Sequence, residues 1–351
     1  MAGHQHAITP EAPPAPPERA PAPAPDHPIP DRPLWRSLVK LARPTQWSKS
    51  IFVLIGPFYG LRDLLDEGQT VTDLGPLLIS VVATAIAFAL GSSGCYVFND
   101  LADRVADRSH PRKRRRPIAC GQVSPHAARI YGTILFVAAG LMLIPVVPQA
   151  RMWVALSLGL YIANVMLYSA ALKHIVIADV MSLSVGFVLR VMGGCAAAMI
   201  EPSVWLLNVV FFLSMFLAFG KRLGERRTLG PGRSGDPGDL IDGPGLAVAH
   251  RRVQAGYTDT LLQMAVVVTA VITLMTYALY VSDQTDRYVA GFNLLWLTIL
   301  PATYGMFRAI VLIERGVYDD PTELAVHDRP FQASGLVFVA LTVGLMLAFR
   351  P

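Results

Sequence analysis

"CYVFNDLADRVADRSHPRKRRRPIACG", residues 95–121, decides the reading of the whole chain. Asp100, Asp103 and Asp107 stand beside seven Arg and Lys residues between Arg104 and Arg116, and the residues before them are almost purely apolar. At i, i+3, i+7 spacing the three aspartates share one face of a helix, with Asn99 beside them. Carboxylates that close repel one another unless a cation compensates. Oxygen-only ligands on a solvent-accessible helix suit Mg²⁺, which keeps several waters and is commonly shared with substrate phosphates. A solvated helix laced by pairs such as Asp100–Arg104 would also use this spacing. The position argues for a site: the cluster continues an apolar segment, and "HPRKRRRP" follows it. Acid for a metal and base for phosphate together are what a diphosphate site requires.

The surroundings are those of a membrane protein. The 351 residues are 53% hydrophobic and only 16% charged, with a mean hydropathy of +0.45. Soluble domains average about 25% charged residues. Continuous apolar runs of the length needed to cross about 30 Å of hydrocarbon recur along the chain, which predicts an all-α polytopic protein and excludes a β-barrel. Nine spans are predicted, at 47–62, 74–98, 127–147, 152–171, 175–196, 204–220, 259–281, 289–313 and 331–349. Leu34, Leu38 and Leu41 on one face, with Arg36, Lys40 and Arg43 off it, predict an interfacial amphipathic helix before the first span. Residues 1–33 carry 11 of the 27 prolines and few large apolar side chains. That composition predicts a disordered cytoplasmic tail, leaving 34–351 as the membrane domain. The Gly-, Pro- and Asp-rich loop 223–250 is expected to be floppy. Cys95, Cys120 and Cys195 have no metal-ligand spacing and read as packing residues.

Basic residues concentrate in the segments that face one side if the N-terminus is cytoplasmic, from Arg36, Lys40, Arg43 and Lys49 through 104–116 to Lys173, Lys221, Arg222, Arg251 and Arg252. The positive-inside rule then puts the N-terminus and the acid cluster in the cytoplasm of a cell whose plasma (inner) membrane holds the chain. The formal charge of +5 says little by itself; its distribution is that of a membrane protein, and no nucleic-acid partner is expected. Asp179 and Arg190 are charged residues inside a predicted span, where an unpaired charge is expensive. Eleven residues apart, they lie on one helix face about 16 Å from each other, too far for a direct pair. A polar cavity is the natural place for them. Lys49, Lys173, Lys221 and Arg222 sit at cytoplasmic helix ends, where anchoring alone would also explain them. With the acid cluster they form a basic rim able to hold several phosphates.

The segment "NDLADRVADRSHPRKRRRPIACG" resembles the N-D-x-x-D-x-x-x-D signature of the UbiA-type intramembrane transferase superfamily. That resemblance implies nine helices around a central cavity in the membrane, with Asn99, Asp100, Asp103 and Asp107 on Mg²⁺ and the three aspartates catalytic. Further stretches narrow it: "ARPTQWSKSIFVLIGP" (42–57), "YSAALKHIVIADVMSLSVGFVLRVMGGCAA" (168–197), "FGKRLGE" (219–225) and "DDPTELAVHDRPF" (319–331). These are similar to the decaprenyl-phosphate phosphoribosyltransferase branch, over about residues 35–350. The branch implies transfer of phosphoribose from 5-phosphoribosyl diphosphate (PRPP) to a polyprenyl phosphate, releasing pyrophosphate and supplying cell-wall arabinan synthesis. The substrate-binding set it implies here is Lys49, Arg115, Tyr168, Lys173, Asp179, Arg190, Lys221 and Arg222. Aromatic prenyltransferases of the superfamily carry a second D-x-x-x-D pair. Here Asp179 stands alone, with Leu183 four residues on. Ser50 also replaces the Asn usual after "QWxK" in the branch. A prenyltransferase using an allylic diphosphate and an aromatic or lipid acceptor is the rival within the superfamily, and a phosphate-coupled transporter the rival outside it. Chain length of the lipid and oligomeric state, a homo-oligomer included, are left open.

Overall fold

A computed structural model describes residues 33–66, 71–109, 113–229, 256–284, 288–289, 291–317 and 321–348. The proline-rich tail before Pro33 and most of the 223–250 loop lie outside these residues. The described chain is almost entirely helical. In order it runs α1 (Leu34–Ala42), a 3-10 helix (Pro44–Ile51), α2 (Phe52–Asp66), α3 (Val71–Ala102), the short α4 (Arg104–Arg108), α5 (Pro125–Leu141), α6 (Pro148–Ala170), α7 (Ala178–Ala197) and α8 (Val204–Leu229). It continues with α9 (Asp259–Asp283), a two-stranded hairpin (β1 Tyr288–Val289, β2 Phe292–Asn293), a 3-10 turn (Leu294–Thr298), α10 (Ile299–Glu314), α11 (Pro321–His327) and α12 (Arg329–Ala348).

A helix stands at each of the nine predicted spans. Among the described residues, six segments have the length and apolarity to cross a bilayer: Leu74–Ala102, Pro148–Ala170, Ala178–Ala197, Val204–Gly224, Asp259–Asp283 and Leu294–Glu314. Helices α2, of 15 residues with Pro57 inside, and α5, of 17, are shorter. The apolar part of α12 is also short. The segment 289–313 is not one helix. Its start folds as the hairpin and 3-10 turn, because Asn293 turns its side chain back on the chain, accepting from Leu295 N and donating to the carbonyl of Val281. The predicted interfacial helix stops at Ala42, where Arg43 takes a left-handed conformation (φ 51°, ψ 61°) before Pro44.

Helix α7 is the hub. It packs against α2, α3, α6 and α8, and 61% of its apolar window is buried against 22–44% for the other spans. The approach of α2 depends on small residues. A Cβ on Gly194 would fall 1.8 Å from the carbonyl oxygen of Val53, and one on Gly56 2.2 Å from Cys195 Sγ. In a membrane, where apolar burial between helices gains little over lipid, such backbone proximity is a main source of helix association. Outward-facing side chains stay apolar, as with Leu78, Ile79 and Val82 on α3 and Met264, Val268 and Met275 on α9. Exposed apolar belts of this kind are the surface a bilayer covers.

Candidate functional site

Arg43, Lys49, Cys95, Tyr96, Asn99, Tyr161 and Arg190 line a cavity of about 170 Å³, closed further by Asn164, Tyr168, Ser169, Leu183 and Phe187. Its walls are α3, α6 and α7. The left-handed turn at Arg43 lets the 3-10 helix fold back onto α3, where Trp47 Nε1 donates to Ser93 Oγ at 2.9 Å and Ser93 Oγ donates to the Ala42 carbonyl at 2.7 Å. That fold-back sends the Arg43 guanidinium over the Tyr96 ring, 4.6 Å from its centroid, and onto Asp100 Oδ1 at 2.6 Å.

Deeper in the cavity, Arg190 is 5% exposed. Its Nη2 donates to Tyr161 Oη at 2.7 Å and to Ser92 Oγ at 3.2 Å, and Nη1 donates to the Gly186 carbonyl at 3.0 Å. Its guanidinium also lies over the Tyr161 ring. The Nε–H is buried with no hydrogen-bond partner. Among the described residues no carboxylate neutralises this cation, so a buried charge and an orphan donor stand at the cavity wall, each costly unless an anion joins them.

The acid cluster sits at the junction of α3 and α4. The helix breaks at Asp103 (φ −83°, ψ 1°), yet Asp103 N still bonds to the Asn99 carbonyl and Asp107 N to the Asp103 carbonyl. The one-face expectation therefore holds only loosely. Asp100 and Asp107 turn inward and are buried, whereas Asp103 is partly exposed and pairs with Lys173 Nζ at 3.6 Å. Arg116 Nη1 lies 3.0 Å from Asp100 Oδ1 and 2.8 Å from Asp107 Oδ2. Burial pushes the Asp107 carboxyl above its ordinary range, and Arg116 reverses that only in part.

Among the described residues, no three His, Cys, Asp or Glu side chains converge as metal ligands. The donor set nonetheless fits a hard divalent cation. Two buried carboxylates already meet around one cationic nitrogen of Arg116, the oxygen-rich environment that a hard cation such as Mg²⁺ would take if Arg116 yielded. Asn99, on the cavity wall, would add a neutral oxygen.

Asp179 does not line this cavity. It is buried at the start of α7, where it pairs with Arg222, accepts from Tyr257 Oη at 2.6 Å and accepts from Val180 N at 2.7 Å. The substrate-binding place that the family resemblance implies for Asp179 is therefore not in this cavity. The distance of Asp179 from Arg190 along α7 lets each charge find a separate partner. Arg222 is spent on Asp179 and the Ala218 carbonyl, Lys221 is exposed, and Arg115 is exposed, with its carbonyl accepting from Lys40 Nζ. Lys49, Asn99, Tyr168 and Arg190 are brought together in the cavity. Local sequence does not single out Arg116, one of a basic run, Arg43, on the polar side of the interfacial helix, or Tyr161, Ser92 and Tyr257, whose bonding is long-range. For Arg116 there was a signal: Pro117 after it fixes the chain where the basic run ends.

An all-helical membrane fold with carboxylates, arginines and a polar cavity at one end of its spans defines an intramembrane transferase, and the pattern of the UbiA prenyltransferase family matches residues 68–336. The chain belongs to that family. Within it, the chain is 30% identical over 317 residues to the decaprenyl-phosphate phosphoribosyltransferase of Mycobacterium tuberculosis, covering 89% of this chain and 94% of the relative. It is 31% identical over 310 residues to the enzyme of the same name from Corynebacterium glutamicum, covering 88% and 86%. A solved UbiA homologue from Archaeoglobus fulgidus, bound to GPP and Mg²⁺, superposes with a TM-score of 0.60 at 15% identity over 88% of this chain and 99% of that one. At that identity the likeness speaks for the fold alone.

Proposed function

We propose that this chain transfers 5-phosphoribose from PRPP to a polyprenyl phosphate such as decaprenyl phosphate, in a Mg²⁺-dependent reaction that releases pyrophosphate and supplies cell-wall arabinan synthesis. The observation that carries this reading is the charge of the cavity: Arg43, Lys49 and Arg190 line one pocket, which suits two phosphate-bearing substrates. Position 183, where an aromatic prenyltransferase has the second carboxylate of its D-x-x-x-D pair, is a leucine on the cavity wall. The similarity to phosphoribosyltransferases over nearly the whole chain points the same way.

In this reading Asn99, Asp100, Asp103 and Asp107 would hold the divalent cation. When bound, it neutralises charge on the departing pyrophosphate. Arg43 and Arg116 trade carboxylate partners for phosphate oxygens, keeping their charge paired throughout. Arg190 offers its free Nε–H and its net charge to a substrate phosphate. Tyr161 and Ser92 fix its guanidinium plane, so little ordering is left to do on binding. The C1–O bond to pyrophosphate breaks through an oxocarbenium-like state, as in glycosyl transfer generally. A phosphate oxygen of the lipid forms the new C1–O bond. That oxygen is already anionic at neutral pH, so no general base is required. His174 is exposed on its turn, away from the cavity lining. The basic helix ends support an N-terminus and active site on the cytoplasmic side, where water-soluble PRPP arrives.

The test offers membranes containing the chain labelled PRPP with polyprenyl phosphate and, separately, an allylic diphosphate with an aromatic acid. A labelled phosphoribosyl lipid is expected. A prenylated aromatic product would establish the rival branch, and substrate flux without a product would establish a transporter.

A further inference from the structure

Besides Arg43, the described residues contain two non-glycine positions of positive φ, Ile177 at 71° and Met199 at 59°. Ile177 is the sharper anomaly, because a β-branched side chain clashes with its own backbone in that region. It immediately precedes α7, at φ 71° and ψ −48°. Strain of this kind persists only where neighbours over-determine it, and it gathers near sites that need a fixed geometry.

The neighbour here is one side chain. Tyr257 Oη accepts from Ile177 N at 2.7 Å and donates to Asp179 Oδ1 at 2.6 Å. Asp179 is further held by Arg222, whose guanidinium lies over the Tyr257 ring. Tyr257 is 1% exposed. Burial and the bond to Asp179 push its hydroxyl far above the ordinary tyrosine range, so it stays a donor at physiological pH. The residue before it, Gly256, approaches Val176 so closely that a Cβ would fall 2.5 Å from Val176 Cγ2. Segment 256–257 therefore grips the chain at 176, 177 and 179 from outside the α6–α7 connection.

That connection carries Lys173 toward the site: on the 3-10 turn Leu172–His174 it reaches Asp103, just after Tyr168 and Ser169 at the end of α6, which line the cavity. One end of the connection is fixed by α6. The other is fixed by the Ile177 turn. We propose that Tyr257 is a positioning residue: by bridging Ile177 N and Asp179 it holds the left-handed turn that sets Lys173 against Asp103. The consequence for catalysis rests on the function proposed above, but the placement of Lys173 does not.

Tyr257→Phe removes both bonds and keeps the ring. Released, Ile177 should leave its left-handed conformation and carry Lys173 away from Asp103. Ile177→Gly adopts the same φ without strain, and the Ile177 side chain is 44% exposed, so its loss costs little packing. The decisive experiment measures acylation of Lys173 by an amine-reactive reagent, read by mass spectrometry, in the intact purified protein. Tyr257→Phe should label Lys173 severalfold faster than wild type, and the double variant Tyr257→Phe with Ile177→Gly should return to the wild-type rate. In the transfer assay the same pair should show a KM for PRPP raised about tenfold and then restored, the size of one charge-assisted contact, with kcat changed less. Unchanged labelling in Tyr257→Phe, or faster labelling that Ile177→Gly fails to reverse, overturns the proposal. If Tyr257→Phe does not fold, the double variant carries the test, because its labelling should match wild type. Failure of wild type to use PRPP would overturn the function while leaving the labelling result intact.

Discussion

Two buried carboxylate networks, at the α3–α4 junction and at the start of α7, are built differently. At the α3–α4 junction, Asp100 and Asp107 are held, among the described residues, by the side chains of Arg43 and Arg116. Both arginines are about a quarter exposed, so they can exchange partners with an incoming cation or phosphate. At the start of α7, Asp179 is held by Arg222, by the Tyr257 hydroxyl and by the Val180 amide. Backbone and phenol donors do not exchange. The difference teaches how one membrane protein uses the same ion-pair chemistry for two ends. Where all partners are flexible cations, the pair can give way to a ligand, as the proposed function requires. Where the backbone takes part, the pair fixes geometry.

The largest effect should come from the exchangeable network. Asp100→Ala, Asp103→Ala and Asp107→Ala should each reduce turnover by about 10²–10³-fold or more, the scale of losing one preorganised electrostatic stabiliser, while the purified proteins remain folded. Chelation should stop the wild-type reaction and Mg²⁺ restore it. A variant of the three that keeps near wild-type turnover would remove that residue from metal binding.

Asp179→Asn should break the fixed network in the opposite sense. It keeps an acceptor for Val180 N and Tyr257 but loses the charge facing Arg222. Stability should fall by about 2 kcal/mol, within the range for a hydrogen bond to a charged group, and thermal melting in detergent measures it. A loss of turnover as large as that of Asp100→Ala, with unaltered melting, would place Asp179 in the chemistry and erase the distinction.

Arg190 belongs to neither network, and its partners are all neutral. Lysine there keeps charge but loses the planar fork. Arg190→Lys should raise KM for one phosphate-bearing substrate, or lower kcat, about tenfold, equivalent to roughly 1.4 kcal/mol. Melting and kinetics measured on one preparation separate the roles: lower stability with unchanged kinetics would make Arg190 structural.

Asp328 offers a third carboxylate network, outside the cavity lining. It makes a two-pronged pair with Arg308 and accepts from Phe331 N at the start of α12. The Arg308 hydrogen bond holds its carboxyl below the usual range. A lowered native pKa contributes stability that is present above the unfolded-state pKa and lost as pH falls through the native one. Asp328→Asn should therefore cost about 1 kcal/mol, visible at neutral pH and shrinking as pH drops into the acid range, with turnover per folded molecule unchanged. Smallest of all, deletion of residues 2–32 should leave turnover within about twofold, since their composition supplies no packed core.

Much of the site was legible because its signals are local. The spacing of Asp100, Asp103 and Asp107 and the position of Arg190 inside an apolar span follow from the order of residues and the helical repeat; the same reading put Asp179 in a cavity that it does not line. The apolar runs determined an all-helical membrane protein, since only hydrogen-bonded helices satisfy the backbone in lipid without a closed barrel. Tertiary structure alone decided the partners. Arg43 reaches Asp100 across 57 positions, Arg190 reaches Ser92 across 98, and Tyr257 reaches Asp179 across 78. Nothing in a local pattern marks such pairs. A guanidinium or phenol of ordinary sequence context becomes part of a site only when helix packing removes water around it. Close approaches such as that of Gly194 to Val53 fix which side chains then meet.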